Sequence, residues 1–401
     1  MENEKMRRLG ANHSAIRELF EYGKKRKAEI GNENVFDFSI GNPSIPAPEK
    51  LREELIRLLK ECDPVLLHGY TSAQGDPVAR RAIAENVRKR FDFAADPELI
   101  YLTAGASASL SVALQAVLTP GDEVILLTPC FPEYWVFAEQ TGARVISVPC
   151  DRSTFQPDFD ALEHAVTERT RAVIVNSPNN PTGAVMTEEN ICRLARLLET
   201  AEEKYRTVIR LIADEPYREL VYDGIRVPYI PSYYRNTIVC YSFSKSLSLP
   251  GERIGYVLVS PDDVNAQMLY QAICGAGRAL GYVCAPSLFQ HMIPAVLELR
   301  PDLTTYDANR NLLYRSLTAY GFSAVRPDGA FYLFLRSPEP DAAAFAERAK
   351  KEELLLVPGD SFGCSGYVRI SYCVQTGQIE RALPAFRRLA ESYGLTGQEI
   401  V

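Results

Sequence analysis

Seven runs of apolar, β-favouring residues punctuate the middle of this 401-residue chain, and they constrain its fold more than any other feature. They are LIYLT at 99–103, EVILLT at 123–128, ARVISVP at 143–149, RAVIVNS at 171–177, VIRLIAD at 208–214, TIVCYSF at 237–243 and IGYVLVS at 254–260. Each is apolar almost throughout rather than alternating, as expected of strands covered on both faces. Helical patterns lie between them. The segment 187–205 opens on Thr187, a capping residue, followed by Glu188 and Glu189. This alternation predicts an α/β fold: a mainly parallel seven-stranded sheet covered by helices.

The last hundred residues read differently. A helix near 306–320, a strand at 329–337, a helix at 341–352, a strand at 367–373 and a closing helix at 378–393 predict a smaller α+β module. The residues up to about Ser44 are expected to pack with it. The expected division is therefore a large domain at 45–295 and a small one formed by 1–44 and 296–401.

Composition excludes several classes. Apolar residues at 46% and charged residues at 24% fit a globular chain, not a disordered or fibrous one. With 44 Lys and Arg against 51 Asp and Glu, the net charge of -7 lacks the basic footprint of a nucleic-acid binder. The nine cysteines form no CxxC pair, and His13, His68, His164 and His291 form no HExxH motif, so no metal site is expected. Reduced thiols in a cytoplasmic protein are the expectation. The amino-terminal MENEKMRRLG has no apolar core of a secretory signal. Residues 99–118 carry no charge, but Thr103, Gly105, Ser107, Ser109, Ser111 and Gln115 interrupt their apolarity. A strand, a small-residue turn and a buried helix account for them better than a membrane span.

Polar residues gather where predicted strands end, which is where open α/β sheets bind ligands. RAVIVNS runs into Pro178-Asn179-Asn180-Pro181-Thr182-Gly183; VIRLIAD ends on Asp214, followed by Glu215-Pro216-Tyr217; TIVCYSF leads to Ser244 and Lys245, with Arg253 eight residues on. Singly, each has a plainer reading: a turn, a helix cap, a solvated lysine. Their joint occurrence in this order, each after a strand, sets them apart.

On these residues the chain resembles the fold-type I pyridoxal phosphate enzymes, specifically the aspartate aminotransferase-like class I/II aminotransferases. The resemblance runs from Gly41-Asn42-Pro43 to Val368-Arg369-Ile370-Ser371, and its most specific stretch is SFSKSLSLPGERIG at 242–255. It implies a transaminase that moves an amino group between an L-amino acid and a 2-oxo acid in a ping-pong cycle. By the same resemblance, Lys245 forms an imine with the cofactor aldehyde and then moves the Cα proton to C4′. Asp214 pairs with the pyridine nitrogen and keeps the ring an electron sink. Asn180 and Tyr217 hydrogen-bond the phenolic oxygen. Gly105, Ala106 and Ser107 offer backbone N–H groups to the phosphate, completed by Ser242 and Arg253. Tyr70 matches a tyrosine donated to the neighbouring subunit's phosphate, implying a homodimer; its plainer reading is a core tyrosine. Phe131, or alternatively Tyr134, stacks on the pyridine face. Arg369 grips the substrate α-carboxylate, with Gly41 closing over it and Asn180 beside it.

Two departures stand out. Glu252 precedes the phosphate arginine where the family often has Trp or Leu. Arg278, the candidate for a second carboxylate, is out of register with the aspartate-specific arginine, and a surface or interface role is its alternative. A neutral or aromatic donor is therefore expected as readily as aspartate, with 2-oxoglutarate as acceptor. A lyase on the same scaffold and a ligand-sensing module are the alternatives, the first disfavoured by Pro-Asn-Asn-Pro-Thr-Gly and Arg369, the second by the lack of a DNA-binding segment before residue 45.

Overall fold

In the computed structural model, residues 2–11 and 15–395 are described, which leaves His13 outside. They divide into two compact units: Ile45–Asn179 with Ala184–Asp302, and the described residues up to Ser44 with Asn180–Gly183 and those from Leu303 onward. The four-residue excursion Asn180–Gly183 is marked by no change in composition.

The larger unit is built on a seven-stranded sheet. Its order is Ile100–Thr103, Gly255–Val259, Thr237–Ser242, Arg210–Asp214, Thr170–Asn176, Glu123–Thr128, Arg144–Pro149. All seven expected strands form. Only Gly255–Val259 runs antiparallel to its neighbours; every other pairing is parallel. The apolar runs are continuous because successive residues feed two different cores. Leu102, Ile125, Val173, Leu211, Val239 and Leu258 join one cluster, with residues of the helices Pro77–Phe91, Glu188–Tyr205 and Ser287–Val296. Tyr101, Val124, Ile174, Ile212, Ile238 and Val257 join the other, against Ala106–Val117 and Ala266–Leu280. Each such side chain contributes roughly 1.5–3 kcal/mol by leaving water, so both faces drive the sheet's assembly.

The charge-free stretch at 99–118 resolves into the strand Ile100–Thr103 and the helix Ala106–Val117. No helix among the described residues is long and apolar enough to cross a membrane.

The smaller unit holds a four-stranded antiparallel sheet in the order Val357–Pro358, Tyr367–Ser371, Tyr332–Arg336, Ser323–Ala324. Phe36–Asp37 pairs in parallel with Leu354–Leu355, which ties the amino-terminal segment to this unit. Helices Thr304–Ala319, Ala342–Lys351 and Thr376–Ser392 complete it.

The antiparallel strand begins at a glycine for a steric reason. A Cβ on Gly255 would lie 2.3 Å from the backbone oxygen of Tyr241 and 3.1 Å from Cα of Gly105. Neither neighbour is a flexible side-chain end. Gly255→Ala is expected to lower stability by about 1–3 kcal/mol or more, read as a reduced denaturation midpoint at unchanged slope; a variant as stable as the parent would show that the strand junction can yield.

Candidate active site

Register places the predicted residues along one edge of the large sheet. Asn176 pairs with Asp214, Asp214 with Cys240, Ser242 with Gly255, and Gly255 with Thr103. Asn176, Asp214, Ser242 and Thr103 are the last residues of their strands. Because Gly255–Val259 runs the other way, its amino end, and Arg253 just before it, reaches the same carboxyl edge.

Gly105 follows Thr103 and caps the helix Ala106–Val117. That helix leaves its first N–H groups without intrahelical acceptors, and its dipole favours an anion there. Ala106 and Ser107 open its first turn, with Ser107 exposed. Gly105 has φ +84, and a Cβ on it would stand 2.6 Å from Nη2 of Arg253. The positive φ favours glycine, and the missing Cβ leaves room for the guanidinium. Arg253 donates from Nη1 to the Pro250 carbonyl at 3.1 Å and to Ser244 Oγ at 3.4 Å. Ser242 Oγ accepts from the Ser244 N–H at 3.1 Å and lies 2.7 Å from its hydroxyl. Ser244, seen from sequence only as a polar residue at a strand end, links Ser242 to Arg253. An arginine held by neutral oxygens beside a helix N-terminus suits a phosphate. Glu252 is exposed, which explains why a charge is accommodated at that position.

Asp214 is 4% exposed at the end of Arg210–Asp214. The Tyr134 hydroxyl donates to its Oδ2 at 2.5 Å, and Asn176 Nδ2 donates to its backbone oxygen at 2.9 Å. Oδ1 is buried without a hydrogen-bond partner. Burial pushes the carboxyl up to about 7, opposed by the Tyr134 hydrogen bond. A protonated pyridine nitrogen is the donor that such a lone oxygen fits. Tyr134, weighed from sequence as a stacking ring, gives its hydroxyl to this carboxylate, the partner that a buried phenol needs. Phe131 meets it edge-on at 5.7 Å between ring centres. Tyr217, three residues past Asp214, is buried at 5% exposure. Lys245 is half-buried in the single turn Phe243–Ser246, capped by Ser242.

Arg369 belongs to the smaller unit. Arg369 is 2% exposed on Tyr367–Ser371. It donates to Asn180 Oδ1 at 2.9 Å and to the Ser39 carbonyl at 2.5 Å, with the rings of Tyr332 and Phe362 at 4.6 and 4.9 Å. Gly41 lies so close to Tyr332 that a Cβ would overlap its hydroxyl. Asn180 is held in turn through its own loop. Gly183 accepts from the N–H groups of Asp328 and Gly329 at 2.9 and 2.8 Å, and Arg310, 1% exposed, donates to the Pro327 carbonyl at 2.8 Å. Nothing in the sequence pattern flagged Arg310.

Two residues stand apart. Tyr70 is 99% exposed, so it is not a core tyrosine. Arg278 is exposed near the end of Ala266–Leu280.

The residues present thus fit a pyridoxal phosphate: a lysine, a buried acid with an unpartnered oxygen, and a glycine–serine–arginine cradle. Residues 33–386 match the family of class I and II aminotransferases. The chain is 32% identical over 393 residues to the aromatic-amino-acid aminotransferase 2 of Thermococcus litoralis, covering 94% of this chain and 96% of the relative. It is 33% identical over 355 residues to the aspartate/prephenate aminotransferase of Thermus thermophilus, covering 87% and 89%. Among solved structures, an amino transferase from Eubacterium rectale superposes with a TM-score of 0.96 at 54% identity, covering 98% and 99%. The aspartate aminotransferase of Thermus thermophilus with maleate gives 0.84 at 29%, covering 96% and 98%. The chain belongs to the class I and II aminotransferases. It is a pyridoxal phosphate-dependent transaminase of fold type I.

The raised carboxyl of Asp214 sets a pH dependence for the cofactor-stripped protein. A folded-state value near 7 against a reference of 3.8 favours the protonated form. The stability this confers is full below about pH 4 and is lost as pH rises through about 7. Asp214→Asn should flatten that loss, worth roughly 4 kcal/mol at most. Parallel urea titrations of both proteins at pH 5 and pH 8 measure it; equal pH slopes would count against the buried, ionisable carboxyl.

Proposed function

We propose that the transaminase accepts neutral or aromatic L-amino acids as readily as aspartate, with 2-oxoglutarate as acceptor, and that the residues above divide the work as the family resemblance implies. When bound, pyridoxal phosphate supplies an aldehyde that captures the amino group and a ring that accepts electrons from the bond broken at Cα. Lys245 holds the cofactor and its Nζ takes the Cα proton. Asp214 keeps a proton on the ring nitrogen by placing a carboxylate against it. Asn180 and Tyr217 serve the phenolic oxygen, and Phe131 the ring face. Gly105, Ala106, Ser107, Ser242 and Arg253 bind the phosphate. Arg369 takes the α-carboxylate, with Gly41 and Asn180 beside it.

The observation that carries the substrate reading is the contrast between two arginines. Arg369 is buried and oriented by two oxygens and two rings, whereas Arg278, the candidate for a distal carboxylate, is exposed. The names of the relatives, one aromatic and one aspartate/prephenate, support a broad donor range. Adding each of the twenty amino acids to the yellow enzyme and timing the loss of its colour tests this. Neutral, aromatic and acidic donors should all convert it. A response confined to aspartate and glutamate, and abolished in Arg278→Ala, would reverse the reading.

We infer a homodimer in which Tyr70 reaches the partner's phosphate site. Tyr70 at 99% exposure follows a turn that also exposes Val65 at 79% and Leu66 at 75%, apolar groups that a second copy would cover. None of the nine cysteines is joined in a disulfide, which supports a reducing, cytoplasmic setting. Mixing Tyr70→Phe and Lys245→Ala subunits should rebuild one complete site per mixed dimer. Cofactor affinity per Lys245-bearing subunit should then exceed that of the Tyr70→Phe homodimer by about tenfold, the scale of one charge-assisted hydrogen bond. No gain on mixing, or an active monomer by sedimentation, would refute it.

A further inference from the structure

Lys245 sits on a helix of four residues, Phe243–Ser246. A single turn cannot hold its own direction, since nucleating a helix is unfavourable until further turns form. Its orientation must come from anchors at its two ends. At the amino end Ser242 caps it. At the other end Ser246, the residue after Lys245, lies with its Oγ 3.0 Å from the Tyr241 hydroxyl. That hydroxyl lies 2.9 Å from Oε2 of Glu219, whose Oε1 accepts from Arg90 Nη1 at 2.9 Å.

We propose that Glu219 is a positioning residue for Lys245, acting through Tyr241 and Ser246. The proposal rests on Lys245 being the cofactor lysine. Ionised Glu219 only accepts, and the single proton of the Tyr241 hydroxyl lies within reach of both Glu219 Oε2 and Ser246 Oγ, so the phenol bridges the carboxylate and the turn. Each member is buried: the Glu219 side chain is 2% exposed, Tyr241 is 5% and Ser246 is 3%. The Tyr241 ring is locked by Tyr256, stacked at 5.0 Å, and Phe243, edge-on at 5.2 Å. The charged groups facing it are Glu219, Arg90 and Arg218. The Arg218 guanidinium pairs with Glu215 and stands 5.4 Å from the Tyr241 ring, 5.0 Å from that of Tyr229 and 4.9 Å from that of Phe91.

Stability alone gives no reason for this arrangement. Desolvating a carboxylate and a guanidinium costs about what their attraction returns, and well-packed apolar residues commonly serve as well. What apolar residues cannot provide is a directional tether ending one residue from Lys245. Glu219 and Asp214 also lie on the same segment, five residues apart in sequence, so the tether links the segment of the acid to the turn of the lysine.

The test uses the holoenzyme with Glu219→Ala, Glu219→Gln, Tyr241→Phe and the Glu219→Ala/Tyr241→Phe double variant. Four readouts are taken: kcat, donor KM, thermal midpoint, and the pH midpoint of the visible absorbance of the cofactor on Lys245. Glu219→Ala and Tyr241→Phe should each lower kcat by about ten- to a hundredfold, the cost of misplacing a reacting group. Donor KM should stay within about twofold, and the absorbance midpoint should move by about half a pH unit or more. The double variant should be no worse than the worse single one, since both break one chain. Glu219→Gln, which keeps an oxygen acceptor, should recover part of kcat. If Glu219→Ala fails to fold, Tyr241→Phe, which removes one oxygen, still decides. Variants that lose thermal midpoint but keep kcat and the absorbance midpoint would overturn the proposal. Borohydride labelling of the parent at a lysine other than Lys245 would instead remove the reading on which it rests.

Discussion

A carboxyl group taken out of water is the constraint around which the larger unit is arranged. Asp214 ends a central strand with Tyr134 on one oxygen, Asn176 on its backbone, and the other oxygen buried without a hydrogen-bond partner. Burial raises its pKa because the charged form has lost its hydration. Ionising it in place asks for a positive group, and a protonated ring nitrogen is one. The surrounding fold supports the same end. Two apolar layers clamp the strand from both faces, so the acid cannot swing into water to recover its hydration.

The phosphate-type cradle depends on a reversal of direction. In a wholly parallel sheet, a residue just ahead of a strand would lie at the amino edge. Gly255–Val259 runs antiparallel to both neighbours, which carries Arg253 to the edge where Ser242 and Gly105 stand. The positive φ at 105 calls for glycine there, and the crossing backbones call for glycine at 255. Charge on the guanidinium and orphan N–H groups on the helix work together there.

In the smaller unit, a different logic holds Arg369. Two neutral oxygens set its direction and two aromatic rings wall it in, so the side chain is oriented before any anion arrives. One of those oxygens belongs to Asn180, in a loop steadied by Asp328, Gly329 and, through Pro327, by Arg310. Preorganisation of this kind lowers the entropy lost on binding.

Much of this was legible in the chain. Strands covered on both faces write themselves as unbroken apolar runs, so the seven strands could be read directly; Asn180, Asp214, Lys245 and Arg253 stand out after predicted strands, whereas Arg369 was marked only by the family resemblance. Periodicity also carried the helices 187–205 and 306–320 to within a residue or two. Tertiary structure alone decided the partners. Tyr134 lies eighty residues from the acid it holds, Ser244 gains meaning only when Arg253 folds back onto it, and Glu219 reaches Ser246 only through a ring on the adjoining strand. Tyr70 matches an interface tyrosine by resemblance, but only its exposure separates it from a core tyrosine. The physical reason is range: apolar periodicity and turn chemistry act over a few neighbouring residues, whereas hydrogen bonds, burial and the pKa shifts they cause are set by groups that only the packed chain brings together.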